Sequence, residues 1–141
     1  MTDTGDIADR LAIDDLVTRF FNCLDRKDVD SLPALFADGA RLDMGVAGRP
    51  AVEGRDAIKA AFGGGGRPGR RTRHHWFALM LAPREGGAQA TFQAVVYASD
   101  GDAPTAKLAN LSDTALDLVR DPADGSWRIA AMARTVVFHF D

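Results

Sequence analysis

The chain has 141 residues, 46% hydrophobic and 26% charged, which suits one globular domain with a substantial core. Its 17 basic and 20 acidic side chains are interspersed and sum to −3, which argues against a nucleic-acid partner or an anionic membrane surface. A single cysteine, Cys23, excludes an intrachain disulfide framework and a CxxC zinc pair, and no apolar run approaches the ~18 residues of a membrane span.

The start, Met1 to Asp6, is polar and acidic without a secretory signal, so a cytoplasmic location is expected. From about Asp6 to Arg26, Ile13, Leu16, Val17, Phe20, Phe21 and Leu24 recur at three- and four-residue steps and predict a long amphipathic helix. Asp25 follows Phe21 by one turn and continues the edge of that apolar stripe. A carboxylate in the last turn opposes the helix dipole, so helix stability does not select it. Two readings stand for Asp25: an ion pair or backbone bond at the turn, or an inward general base or histidine partner. A second helix is expected from Asp28 or Asp30 to Ala37, with Pro33 in its first turn and Leu32, Leu35 and Phe36 as its apolar face. Ala40 to Met44 reads as a short strand, Gly45 to Pro50 as a turn, and Arg55 to Phe62 as a third helix. The glycines from Gly63 to Gly66 have no strand before them, no helix after them and no Walker lysine. They predict a flexible loop running through Arg67 to Arg71, at most a cover for a cavity mouth or a guide for an anion.

Thr72 to Leu81 is a strand bounded by glycine- and proline-rich segments. Alternation puts His74, Trp76, Ala78 and Met80 on one face and His75, Phe77, Leu79 and Leu81 on the other. Both faces are apolar, so one histidine faces an interior. There an imidazole is a proton-transfer candidate, against the plainer role of a solvated or backbone-bonded strand end. A register slip of one residue would exchange His75 for His74. Adjacent on a strand, the two point apart and make a poor metal chelate, so no metal is expected.

Turns at Pro83–Gly87, Asp100–Pro104 and Asp121–Gly125 separate three further strands, Ala88–Ser99, Ala106–Arg120 and Trp127–Phe140. On the second of these, Asn110, Ser112 and Thr114 suit a solvent face or a partly polar cavity equally. On the last, Arg134 shares a face with Met132, Val136, Phe138 and Phe140, and reads as a surface arginine or an inward one. Helices first, then a meander of antiparallel strands, is an α+β layout of a single domain over residues 1–141.

The run Phe20-Phe21-Asn22-Cys23-Leu24-Asp25, then Leu35-Phe36-Ala37-Asp38-Gly39, Val52-Glu53-Gly54-Arg55, Thr72-Arg73-His74 and Gly125-Ser126-Trp127-Arg128-Ile129, resembles the SnoaL-like group of the nuclear transport factor 2-like superfamily. The resemblance spans nearly the whole chain. It implies a cone-shaped α+β barrel of cystatin-like type, a curved antiparallel sheet wrapped around three helices with a pocket between them. Members include polyketide cyclases, steroid isomerases, scytalone dehydratase, a dehydrochlorinase and small subunits of ring-hydroxylating dioxygenases. In the dehydratase and dehydrochlorinase branch, a helix-end aspartate and the histidine of a Thr-x-His strand start form a proton-abstracting dyad. Asp25 and His74 match those positions. The branch's last-strand arginine has its nearest match in Arg134, two residues beyond the usual place, where Met132 stands.

The chain departs from the scytalone dehydratase pattern in having Leu24 before Asp25, one tyrosine (Tyr97), and no histidine on the second long strand. The reading implied is a pocket protein for a small hydrophobic molecule, acting as a cofactor-free lyase or isomerase with Asp25, His74 and Arg134 as catalytic candidates. Phe21, Trp76, Met80, Tyr97, Asn110 and Met132 are the candidate substrate contacts, the first three also serving as core. The alternatives are a ligand-binding protein without turnover and a small-subunit-like partner of a ring-hydroxylating dioxygenase. A homodimer is expected for this fold.

Overall fold

A computed structural model describes residues 6–63 and 68–140. Helix α1, Ile7–Arg26, starts where the Asp6 carboxylate accepts the Ala8 N–H at 2.7 Å, satisfying one of the free donors of the first turn. It ends at Lys27, whose φ of 56° closes the helix. The Lys27 and Asp28 N–H groups then bond back to the carbonyls of Leu24 (3.2 Å) and Cys23 (2.9 Å). That double closure fixes the turn carrying Asp25. The stripe Ile13, Leu16, Val17, Phe20 and Phe21 is buried, as its spacing predicts. At the other end Asp9, buried, accepts from Arg120 and from the Trp127 indole, which ties the helix start to two distant strands.

The expected second helix is absent as an α-helix. Only Pro33–Leu35 form a 3-10 turn, and Phe36 already begins strand β1, Phe36–Asp43. A parallel pairing of Phe36 with Ile129 captures the segment, and the burial of Phe36 outweighs a weak local helix preference. Among the described residues two α-helices therefore pack on the sheet, α1 and α2 (Arg55–Gly63). Residues 64–67, where the expected glycine-loop cover and Arg67 fall, lie outside the described residues.

Strands β2 (Val52–Glu53), β3 (Arg70–Arg84), β4 (Gly87–Asp100), β5 (Lys107–Arg120) and β6 (Trp127–His139) complete one sheet in the order β2-β1-β6-β5-β4-β3. The β1–β6 pair is parallel and the others antiparallel, so the sheet is mixed where an antiparallel one was expected. It is curved and open, with β2 and β3 at its edges. The buried face of α1 and Ile58 of α2 share one apolar cluster with Phe92, Leu116, Ile129 and Met132 of the sheet. No helix among the described residues is long and apolar enough to cross a membrane.

Among the sheet's register shifts, one on β3 and one on β6 bear on the site residues. On β3 an extra residue sits between Phe77 and Met80, with Ala78 at φ 62°. Before it Thr72, His74 and Trp76 turn inward; after it Leu79 and Leu81 do, and Met80 is left 71% exposed. On β6 Val136 pairs with Ser112 but Phe138 with Leu111, so Val137 is extra and Phe138 is exposed rather than aligned with Arg134.

Candidate active site

Asp25, at the end of α1, meets the first turn-in residues of β3. Because strand side chains at i and i+2 share a face, Thr72 and His74 reach the same carboxylate. The Thr72 hydroxyl donates to Oδ1 at 3.0 Å, and the His74 backbone N–H donates to Oδ2 at 2.9 Å. His74 Nδ1 lies 2.6 Å from Oδ1, with the two side chains only 14% and 9% exposed. A contact this short to a carboxylate places the ring proton on Nδ1 and leaves Nε2 unshared. Phe21 stacks on the imidazole, centroids 5.0 Å apart and planes 19° from parallel. Burial holds the His74 pKa below its ordinary value of 6.5, opposed by the Asp25 bond and charge and reinforced by Arg134 and Arg70. The imidazole is therefore neutral at neutral pH, with a free basic nitrogen.

His74 lines a cavity of about 200 Å³. Phe20, Phe21, Leu24, Phe92 and Met132 form its apolar side. Asn110, Ser112 and Thr114, alternate residues of β5, form a polar side with Arg134, which pairs with Thr114 across the strands. The Arg134 guanidinium donates to the Met44 carbonyl at 3.2 Å and to Asn110 Oδ1 at 2.9 Å. Burial lowers its pKa from the usual arginine value. Gly45, φ 65°, makes this placement possible: a Cβ there would stand 2.0 Å from the Arg134 carbonyl oxygen. Only glycine lets the segment after β1 lie so close to β6 and present the Met44 carbonyl to the guanidinium.

A family model described as the SnoaL-like domain matches residues 5–133. The chain belongs to the SnoaL-like domain family. The SnoaL-like domain is similar to solved structures at low identity. One is ActVI-ORFA from Streptomyces coelicolor, with 19% identity over 91% of this chain and 96% of that one, TM-score 0.81. Another is an NTF2-like protein with a cystatin-like fold from Novosphingobium aromaticivorans, with 21% identity, coverage of 97% and 92%, and TM-score 0.72. A third is hexachlorocyclohexane dehydrochlorinase LinA-type3 from Novosphingobium barchaimii, with 15% identity, coverage of 95% and 90%, and TM-score 0.78. These likenesses establish the fold. No curated protein matches the sequence.

Within this SnoaL-like domain the structure brings together Asp25, His74, Arg134, Phe21, Asn110 and Met132. Three expected contacts fall elsewhere. Trp76 turns inward, but its indole is committed to the Thr18 hydroxyl at 3.2 Å and its ring packs edge-on against Phe92, outside the cavity lining. Met80 is turned out by the β3 bulge. Tyr97 lies on the outer sheet face, its ring against His75 at 5.4 Å, because it pairs with outward Arg73. His75 is thereby the outward histidine. Thr72 and Met44 line the cavity without having been expected there, and Arg70, expected in a loop that at most guides an anion, lies on β3 and lines it too. Arg70 and Thr72 share the His74 face by simple alternation, a signal available in the sequence; the Met44 carbonyl leaves no such trace. Among the described residues no three His, Cys, Asp or Glu side chains gather as a metal site.

Proposed function

We propose that this SnoaL-like domain is a cofactor-free lyase or isomerase acting on a small, largely apolar compound. His74 Nε2 takes a proton from an activated carbon, and Asp25 stabilises the imidazolium that results. The C–H electron pair then expels a leaving group from the neighbouring carbon, or moves into a carbonyl to give an enolate that is reprotonated at another position. Arg134 and the β5 donors face the charge so developed. The observation that carries this reading is the 2.6 Å contact of His74 Nδ1 with Asp25 Oδ1 beside the cavity.

The test is deuterium uptake from D₂O into a panel of one- and two-ring ketones, followed by mass spectrometry. Wild type is expected to speed exchange next to the carbonyl, and His74→Gln to lose about 10²–10⁴-fold of that acceleration. Equal exchange in the variant would sink the proposal.

The same reading includes a homodimer formed through the outer sheet face. Phe77, Met80, Tyr97 and Phe138 are exposed, and Arg73 and Asp113 are exposed on strands two apart, so the face carries both signs as a self-complementary patch requires. Sedimentation equilibrium is expected to give a dimer that Met80→Lys with Phe138→Lys returns to monomer. A wild-type monomer at 100 μM (on the order of the weakest dimers of interest) removes this part of the reading.

A further inference from the structure

The polar side of the cavity exceeds what an Asp-His dyad needs. Ser112 and Thr114 are 2% and 6% exposed, both line the cavity, and neither hydroxyl has a hydrogen-bond partner among the described residues. Asn110 spends its Oδ1 on Arg134, which leaves the amide nitrogen as an unused donor on the same wall. Three donors open to the cavity and without protein partners thus line up at alternate positions of one strand. Arg134 bonds only to neutral oxygens, those of Met44 and Asn110. Arg70 lines the same cavity from the start of β3. Neither guanidinium has a carboxylate partner among the described residues, and no acidic side chain lines the cavity. Asp25, beside the cavity, is already shared with His74 and Thr72. Two cations thus line the cavity without an ion pair, although Asp100 stands opposite Arg70 across β3 and β4, and a half-buried charge such as Arg134 left so is costly until a counter-charge arrives.

We propose that the cavity takes an amphipathic acid. Its carboxylate, or an equally ionised acidic oxygen, is bound by Arg134 together with Ser112, Thr114 and the Asn110 amide, with Arg70 adding to the attraction. Its ring system lies against Phe21 and Phe92. At about 200 Å³ the cavity is below the ~300–1,000 Å³ typical of drug-sized ligands, which limits the occupant to one or two rings. The acid end at β5 and β6 directs the ring toward His74, so that recognition and proton transfer fall at opposite ends of one ligand. The proposal rests on reading this cavity as the substrate site, not on turnover.

Calorimetric titration of the whole protein with benzoate and 2-naphthoate, each against its neutral isostere benzamide or 2-naphthamide, tests it at pH 7.5 and low salt. At least one acid is expected to bind tenfold or more tightly than its amide. Arg134→Gln is expected to abolish the preference, and Arg70→Gln to reduce it. Ser112→Ala with Thr114→Val, which leaves both arginines in place, is expected to weaken the acid without affecting the amide. His74→Gln is expected to keep the preference. Equal binding of acid and amide, no binding of either acid, or a preference that survives both arginine substitutions would overturn the proposal. Acid preference without ketone exchange upholds it while removing the proton-transfer reading; ketone exchange without acid preference does the reverse.

Discussion

Asp25 shows how a single carboxylate is committed. Its oxygens accept from the Thr72 hydroxyl, the His74 amide and the His74 ring, so it is neither a helix cap nor a surface pair. The geometry selects one tautomer of His74, and burial keeps that imidazole neutral. The pH consequence has a definite sign. A histidine whose folded pKa lies below the unfolded value of about 6.5 binds its proton more weakly when folded. Stability is then full above pH 6.5 and declines as pH falls from there through the lowered folded pKa. Urea midpoints at pH 7.5 and pH 5 should therefore differ more in wild type than in His74→Gln. An equal difference in both would show that other groups carry the effect. The pair was legible only through the family resemblance, which the helix-end aspartate and the Thr-x-His strand start carry; taken alone, each residue left a plainer role open. What Arg134 would touch was not legible, because its partners come from β5 and from the segment after β1.

At the scale of the element, β1 and its following segment decide where Arg134 sits. Gly45 passes so close to β6 that any side chain meets the Arg134 carbonyl, at a φ that already disfavours other residues. Gly45→Ala is expected to cost roughly 1–3 kcal/mol in urea unfolding and to weaken acid binding along with it. A variant of wild-type stability and affinity would show that the segment is free to move. The same strand explains a failed expectation. The residues from Asp28 to Ala37 have a fair local helix pattern, but Phe36 belongs to a parallel pairing with a strand near the other end of the chain. Local periodicity carries no record of such a partner. The bulge on β3 was hidden for a different reason. Phe77, Ala78, Leu79 and Met80 are all apolar, so a one-residue slip among them leaves the hydrophobic pattern unchanged, and the wrong residue, Met80, was read as facing the cavity. Asn110, Ser112 and Thr114 were readable as sharing one face, but not whether that face met solvent or a cavity, because a polar set suits both.

In the whole molecule, the candidate base sits on β3, an outermost strand of an open sheet. An outermost strand presents unpaired backbone groups, the usual starting point for uncontrolled strand addition by another chain. Here α1 runs beside that margin. Near one end Arg10 donates to the Leu79 carbonyl at 3.0 Å, and at the other Asp25 accepts the His74 amide. The helix thus supplies with two side chains some of the pairing that a seventh strand would supply with its backbone. The residue proposed to hold the catalytic imidazole is also a guard against fibril-like association. Arg10→Ala combined with Asp25→Ala should speed amide hydrogen exchange along β3 while sparing β5, and should shorten the lag of aggregation on gentle heating. If exchange along β3 keeps its wild-type rate, the helix is a bystander to the sheet's solubility.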